Sequence, residues 1–259
     1  MTLAERLHAP DPEVCRAAIA ELAERGGATP EELAALADCL GAGRKAVERP
    51  AAEAFAALAA RGVPVDEILL GALASPLPRR RWGAAFALSL AGDPPAASLP
   101  VLLETLGADD GDLRWAAAGI VVRLQHERAA LVESLRTLVA SGNAAQRKMA
   151  LYCLRDLEAC TPAVEQAVLH ALGDADRDVR LAAVATLARL ARDRGAAAAK
   201  LVHALETGDE RVRRAAAAAL GALGERSAPV LAALRAASAS PDPSLRRAAE
   251  GALRQLGAE

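Results

Sequence analysis

The chain has 259 residues, 53% of them apolar and 2% aromatic, and carries a net charge of −2. No bulk positive field draws it to nucleic acid or to an anionic membrane. Its longest uncharged runs, such as Trp82 to Gly92, fall short of the roughly 20 residues that a membrane span requires. Alanine dominates the apolar share; it is the best helix former, and its small side chain lets backbones approach closely, so tightly packed helices are expected.

Taken in chain order, the predicted elements come in pairs, a first helix A and a second helix B. The opening MTLAERLHAPD lacks a charged start followed by an apolar core, so no secretory signal is expected and the location is read as cytoplasmic. Leu3 and Leu7 mark the first A helix; Asp11 caps a B helix that begins at Pro12, carries Val14, Ala18 and Leu22, and closes at Gly26. Thr29-Pro30-Glu31-Glu32 reads as a capping box for the second A helix. Leu36 and Leu40 follow, then Val47, Ala51 and Phe55 on B, where Glu48-Arg49-Pro50 leaves the helix start open. The third pair holds Leu69 and Leu73, an irregular Leu77-Pro78-Arg79, then Arg80, Ala84, Leu88 and a stop at Gly92. The fourth holds Leu102 and Leu106, a cap at Asp110, then Leu113, Ala117 and Val121. The fifth has Leu135, Val139, the cap Asn143, Gln146, Ala150 and Leu154; the sixth has Val168, Leu172, the cap Asp176, Val179, Ala183 and Leu187. The seventh runs Leu201, Leu205, Asp209, Val212, Ala216, Leu220 and Gly224. The eighth runs Leu234, Ser238 (which breaks the aliphatic row), Asp242, Pro243, Leu245, Ala249, Leu253 and Gly257.

One period joins these pairs. The B-helix anchors Val14, Val47, Arg80, Leu113, Gln146, Val179, Val212 and Leu245 stand 33 residues apart, and all eight residues four places later are alanine. Apolar positions recur at helical and not strand spacing. A single A–B hairpin cannot bury its own apolar faces, so neighbours must stack, and residues 1–259 are read as one domain. The phrases DRDVRLAAVATL and DERVRRAAAAAL, at 176–187 and 209–220, resemble HEAT repeats of the short bacterial kind. The resemblance implies an all-α, right-handed α-solenoid of eight 33-residue hairpins whose B helices line a concave groove and hold another macromolecule.

On a helical wheel the residues two and six places past each anchor point away from the core arc. The first row reads Arg16, Arg49, Trp82, Trp115, Lys148, Leu181, Arg214 and Arg247; the second includes Phe86 and Tyr152. Four of the five aromatic residues are therefore expected outside, as one patch flanked by five cations. Exposed large apolar side chains mark binding sites, whereas stacked Trp and Arg can also staple a solenoid; the pattern favours binding. The expected function is a non-enzymatic adaptor for a protein or peptide, with Trp82, Phe86, Trp115 and Tyr152 as anchors. Arg16, Arg49, Lys148, Arg214 and Arg247 would steer an acidic or phosphorylated partner.

The resemblance also admits two enzymatic alternatives, a bilin lyase subunit and an alkylpurine DNA glycosylase. The acids nearest the aromatics for the latter, Asp112 and Asp156, fall outside the outward slots. Arginine follows the anchor in six pairs and is expected to bridge to acidic caps of the next pair. His170 and His203 repeat 33 apart without a third ligand, and Cys15, Cys39, Cys153 and Cys160 lack zinc spacing. No catalytic residue, cofactor or metal is expected.

Overall fold

The computed structural model describes residues 1–124 and 128–258. Among these there are sixteen α-helices, a short 3-10 turn at Ala96–Ser98 and no strand. The described residues fall into two compact units, Met1–Thr105 with 119–124, and Leu106–Ala118 with 128–258. The first unit contains α1 (Leu3–Leu7), α2 (Pro12–Arg25), α3 (Pro30–Cys39), α4 (Lys45–Ala60), α5 (Asp66–Leu73), α6 (Pro78–Ala91) and α7 (Leu99–Thr105). Helix α8 (Gly111–Arg123) contributes to both. The second contains α9 (Arg128–Ser141), α10 (Ala144–Asp156), α11 (Pro162–Ala171), α12 (Arg177–Leu190), α13 (Arg194–Thr207), α14 (Glu210–Leu223), α15 (Ala228–Ser238) and α16 (Pro243–Gln255). No helix among the described residues is long and apolar enough to cross a membrane.

Each unit is a two-layer stack. In the first, B helices α2, α4 and α6 pack in sequence, as do A helices α1, α3 and α5. In the second, α10, α12, α14 and α16 form the B layer, each packed on the next. The alanine slot is why they fit. Ala18, Ala51, Ala84, Ala117, Ala150, Ala183, Ala216 and Ala249 are all 0% exposed. The helices meet so closely that a Cβ added at Gly221 of α14 would lie 2.8 Å from the Ala252 Cα of α16. The anchor slot is less strict: Val47, Val179, Val212 and Leu245 are buried, while Val14, Arg80, Leu113 and Gln146 are half-buried.

Helix ends follow the local signals. Asp11, Asn143, Asp176, Asp209 and Asp242 each accept a backbone N–H of the helix they cap, and Thr29 with Glu32 closes a full capping box. Gly26 and Gly224 end α2 and α14 in the left-handed region at φ 72° and 76°. At the irregular second pair, α4 begins at Lys45 and runs through Pro50, so the proline sits inside the helix and removes one backbone donor.

The arginine row ties neighbouring pairs together in the second unit. Arg147 grips Asp174 with two nearly parallel bonds, Nε to Oδ2 at 2.7 Å and Nη2 to Oδ1 at 2.8 Å, and also donates to the Gly142 carbonyl at 2.8 Å. Arg180 donates to Asp209, the cap of α14, at 2.8 Å. These bonds hold the Asp174 and Asp209 carboxyls below their ordinary range. Arg213 and Arg246 instead donate to backbone carbonyls of Leu205 and Ser240, and so fasten turns within their own pairs.

Candidate partner-binding surface

The outward face of the B helices begins with alanine. In the first unit α2 and α4 leave a shallow groove of about 570 Å³ floored by Ala17, Ala20, Ala23, Ala54 and Ala57, with Arg16 and Glu53 on its lining. These small side chains leave room that the larger residues of the same face would fill.

The aromatic residues form two stacked pairs. In the first unit Trp82 lies over Phe86, one turn further along α6, with ring centroids 5.5 Å apart and planes 20° from parallel. Trp82 is only 9% exposed. The expectation that it stands free on the surface is therefore corrected. The wheel gives a direction on α6 but not what packs over it; Phe86 at i, i+4 covers one face of the ring. Phe86 is half-buried.

In the second unit Trp115 of α8 stacks on Tyr152 of α10, with centroids again 5.5 Å apart and planes 15° from parallel. Here the indole stays 55% exposed. Tyr152 is half-buried, and the Arg155 guanidinium sits 4.9 Å from its ring centroid. Arg155 in turn donates to Asp156 at 2.8 Å, which raises the guanidinium pKa further and holds the cation in place. Indole, phenol and guanidinium form a pre-ordered assembly that presents Trp115 to solvent. Sequence reading missed Arg155; its spacing of three from Tyr152 on one helix is the signal that finds it.

The five outward cations divide. Arg16 pairs with Glu13 at 2.8 Å, Arg49 with Glu53 at 2.9 Å, and Lys148 with Asp178 at 3.1 Å. These carboxylates offset the positive charge expected at those positions, and Lys148 holds the Asp178 carboxyl below its usual range. Arg214 and Arg247 differ. Among the described residues neither has an ion pair; each uses Nε to bond a carbonyl of its own helix, Glu210 at 3.3 Å and Pro243 at 3.2 Å. Of the candidate acids, Asp156 is committed to Arg155.

A family model described as HEAT repeats matches residues 164–254, where the repeated phrase is most regular. No curated protein sequence matches the chain. Among solved structures, a mutant of Kap121p is 14% identical with a TM-score of 0.71, over 98% of this chain and 33% of that one. Importin beta is 15% identical with a TM-score of 0.62, over 98% of this chain and 40% of its own. E. coli YibA is 17% identical with a TM-score of 0.61, over 99% and 92%. Kap121p also matches in a structure bound to Ste12p, at 15% identity and a TM-score of 0.60. The chain spans only a third to two-fifths of Kap121p and importin beta, and at these identities the likeness is one of fold.

Proposed function

We propose, for a chain whose residues 164–254 match a family model of HEAT repeats, that it is a non-enzymatic scaffold that binds a partner protein or peptide on the outward face of its B helices. The observation that carries this reading is Trp115, a 55% exposed indole stacked on Tyr152. Tryptophan is enriched among residues that dominate binding energy, and a pre-ordered ring loses little freedom on binding. Arg214 and Arg247, free of ion pairs among the described residues, add attraction for acidic side chains on the same partner. The likeness to Kap121p, which a solved structure holds bound to Ste12p, supports a protein partner. On this reading the protein works in the cytoplasm.

The test takes a partner recovered by affinity capture with the wild-type protein and measures its dissociation constant against wild type and Trp115→Ala. Loss of a binding anchor costs at least about 2 kcal/mol, so affinity should fall roughly 30-fold or more at 1.4 kcal/mol per decade. An unchanged affinity, with the variant still folded, would remove Trp115 from the interface.

A further inference from the structure

Neighbouring A helices of the second unit pack in pairs, α9 with α11 and α13 with α15, but α11 and α13 do not pack closely. Between them opens a groove of about 730 Å³. It lies on the A-helix side of the unit, built from residues that play no part in the B-helix surface above. Leu169, Leu172, Ala204 and Val212 give it apolar walls. Leu169 and Leu172 remain only half-buried, so this apolar surface is wetted.

The polar lining combines Gln166 and Thr207 with basic side chains. His170 and His203, the histidines that repeat 33 residues apart, both line this one groove, together with Lys200. Among the described residues none of the three is in an ion pair. The other charged groups lining it are Arg180 and Asp209, which offset each other through their 2.8 Å bond. The uncompensated charge is thus the Lys200 ammonium, with two imidazoles beside it as hydrogen-bond donors. Grooves of roughly 300–1,000 Å³ with apolar walls and a few polar groups are the size and kind that take small organic ligands.

We propose that the α11–α13 groove is a binding site for an amphiphilic organic anion. The apolar body would cover the half-exposed Leu169 and Leu172, and a carboxylate, sulfonate or phosphate head would pair with Lys200 and accept from His170 and His203. Charge complementarity selects the head, and the half-buried leucines select an apolar body over a bare ion. The site is independent of the B-helix surface.

The probe is anilinonaphthalene sulfonate, an aromatic body with one anionic head, followed by its fluorescence. The wild-type protein should bind it saturably, one per chain, and octanoate or octyl phosphate should displace it while octanol at equal concentration does not. Lys200→Glu should weaken binding about tenfold or more, because it removes a charge-assisted hydrogen bond and sets an anion against the head. His203→Ala should weaken it less, and Trp115→Ala should leave it unchanged. All three positions are exposed, and each variant is checked for wild-type circular dichroism, since unfolding would raise the signal and not lower it. Absence of saturable binding, indifference to Lys200→Glu, loss in Trp115→Ala, or equal displacement by octanol would each overturn the proposal.

Discussion

Trp82 and Trp115 occupy the same slot of the same repeated phrase, two residues past the anchors Arg80 and Leu113, yet one is 9% exposed and the other 55%. Each indole stacks on one aromatic ring at the same 5.5 Å, so the difference lies in how far the surrounding helices enclose the ring. Trp82 stacks along its own helix on Phe86 and is absorbed into the first unit. Trp115 stacks across to Tyr152 of another helix, with Arg155 over the phenol, and keeps its outer surface in water. Equal sequence position therefore leaves one tryptophan buried and the other exposed.

The largest effect should come from truncation. Trp82→Ala removes a buried indole and should cost about 3 kcal/mol or more in a urea titration. Trp115→Ala, an exposed substitution, should cost roughly 0.5 kcal/mol beyond the loss of one aromatic stack. Equal losses would erase the contrast.

A second way to break the comparison is to loosen the layer that carries Tyr152. Ala183 of α12 is fully buried where α12 packs on α10. Ala183→Leu should overpack the layer by ~1–3 kcal/mol, whereas Ala185→Leu, on the exposed side of the same helix, should stay within about 0.5 kcal/mol. If Ala183→Leu is as stable as wild type, α10 and α12 are not held as the alanine slot requires.

Smaller still is the effect of Asp174. Its side chain is 12% exposed and its bond from Arg147 ties α10 to the turn before α12. Because Arg147 holds this carboxyl below its ordinary value, the pair stabilises the fold fully above the unfolded value of about 3.9. That stabilisation is lost as pH falls through the lower folded value. Asp174→Asn should be less stable by about 1 kcal/mol at neutral pH, and the deficit should shrink below about pH 4. A deficit constant to pH 2 would show that the charge of Asp174 is not what matters.

What the sequence carried best was repetition. Eight alanines in register mean a layer too close for anything larger, and eight buried alanines are found. Caps were legible for the same reason: Asp11, Thr29, Asn143, Asp176, Asp209 and Asp242 act within a few residues of themselves. Pro50 was less so, because α4 starts at Lys45 without a side-chain cap to announce it. The surface was harder. A helical wheel gives an azimuth but not what covers it, so Trp82 reads as exposed until Phe86 and the packed layer are seen. Nor does a row of cations disclose its partners: Asp178 lies 30 residues from Lys148 and meets it only through stacking. Cys15 and Cys39 show the same limit, with no shared motif and sulfurs 3.7 Å apart in the core.

The contrast between the two tryptophans can be measured without any partner. Trp82→Phe leaves Trp115 as the sole indole, and Trp115→Phe leaves Trp82. Acrylamide quenching of the two proteins, compared under native conditions, reads the accessibility of each ring directly. The Trp115-only protein should emit further to the red and quench with a slope several times that of the Trp82-only protein, in keeping with 55% against 9% exposure. Equal slopes, or a steeper slope for Trp82, would contradict the burial of Trp82 and the exposure of Trp115.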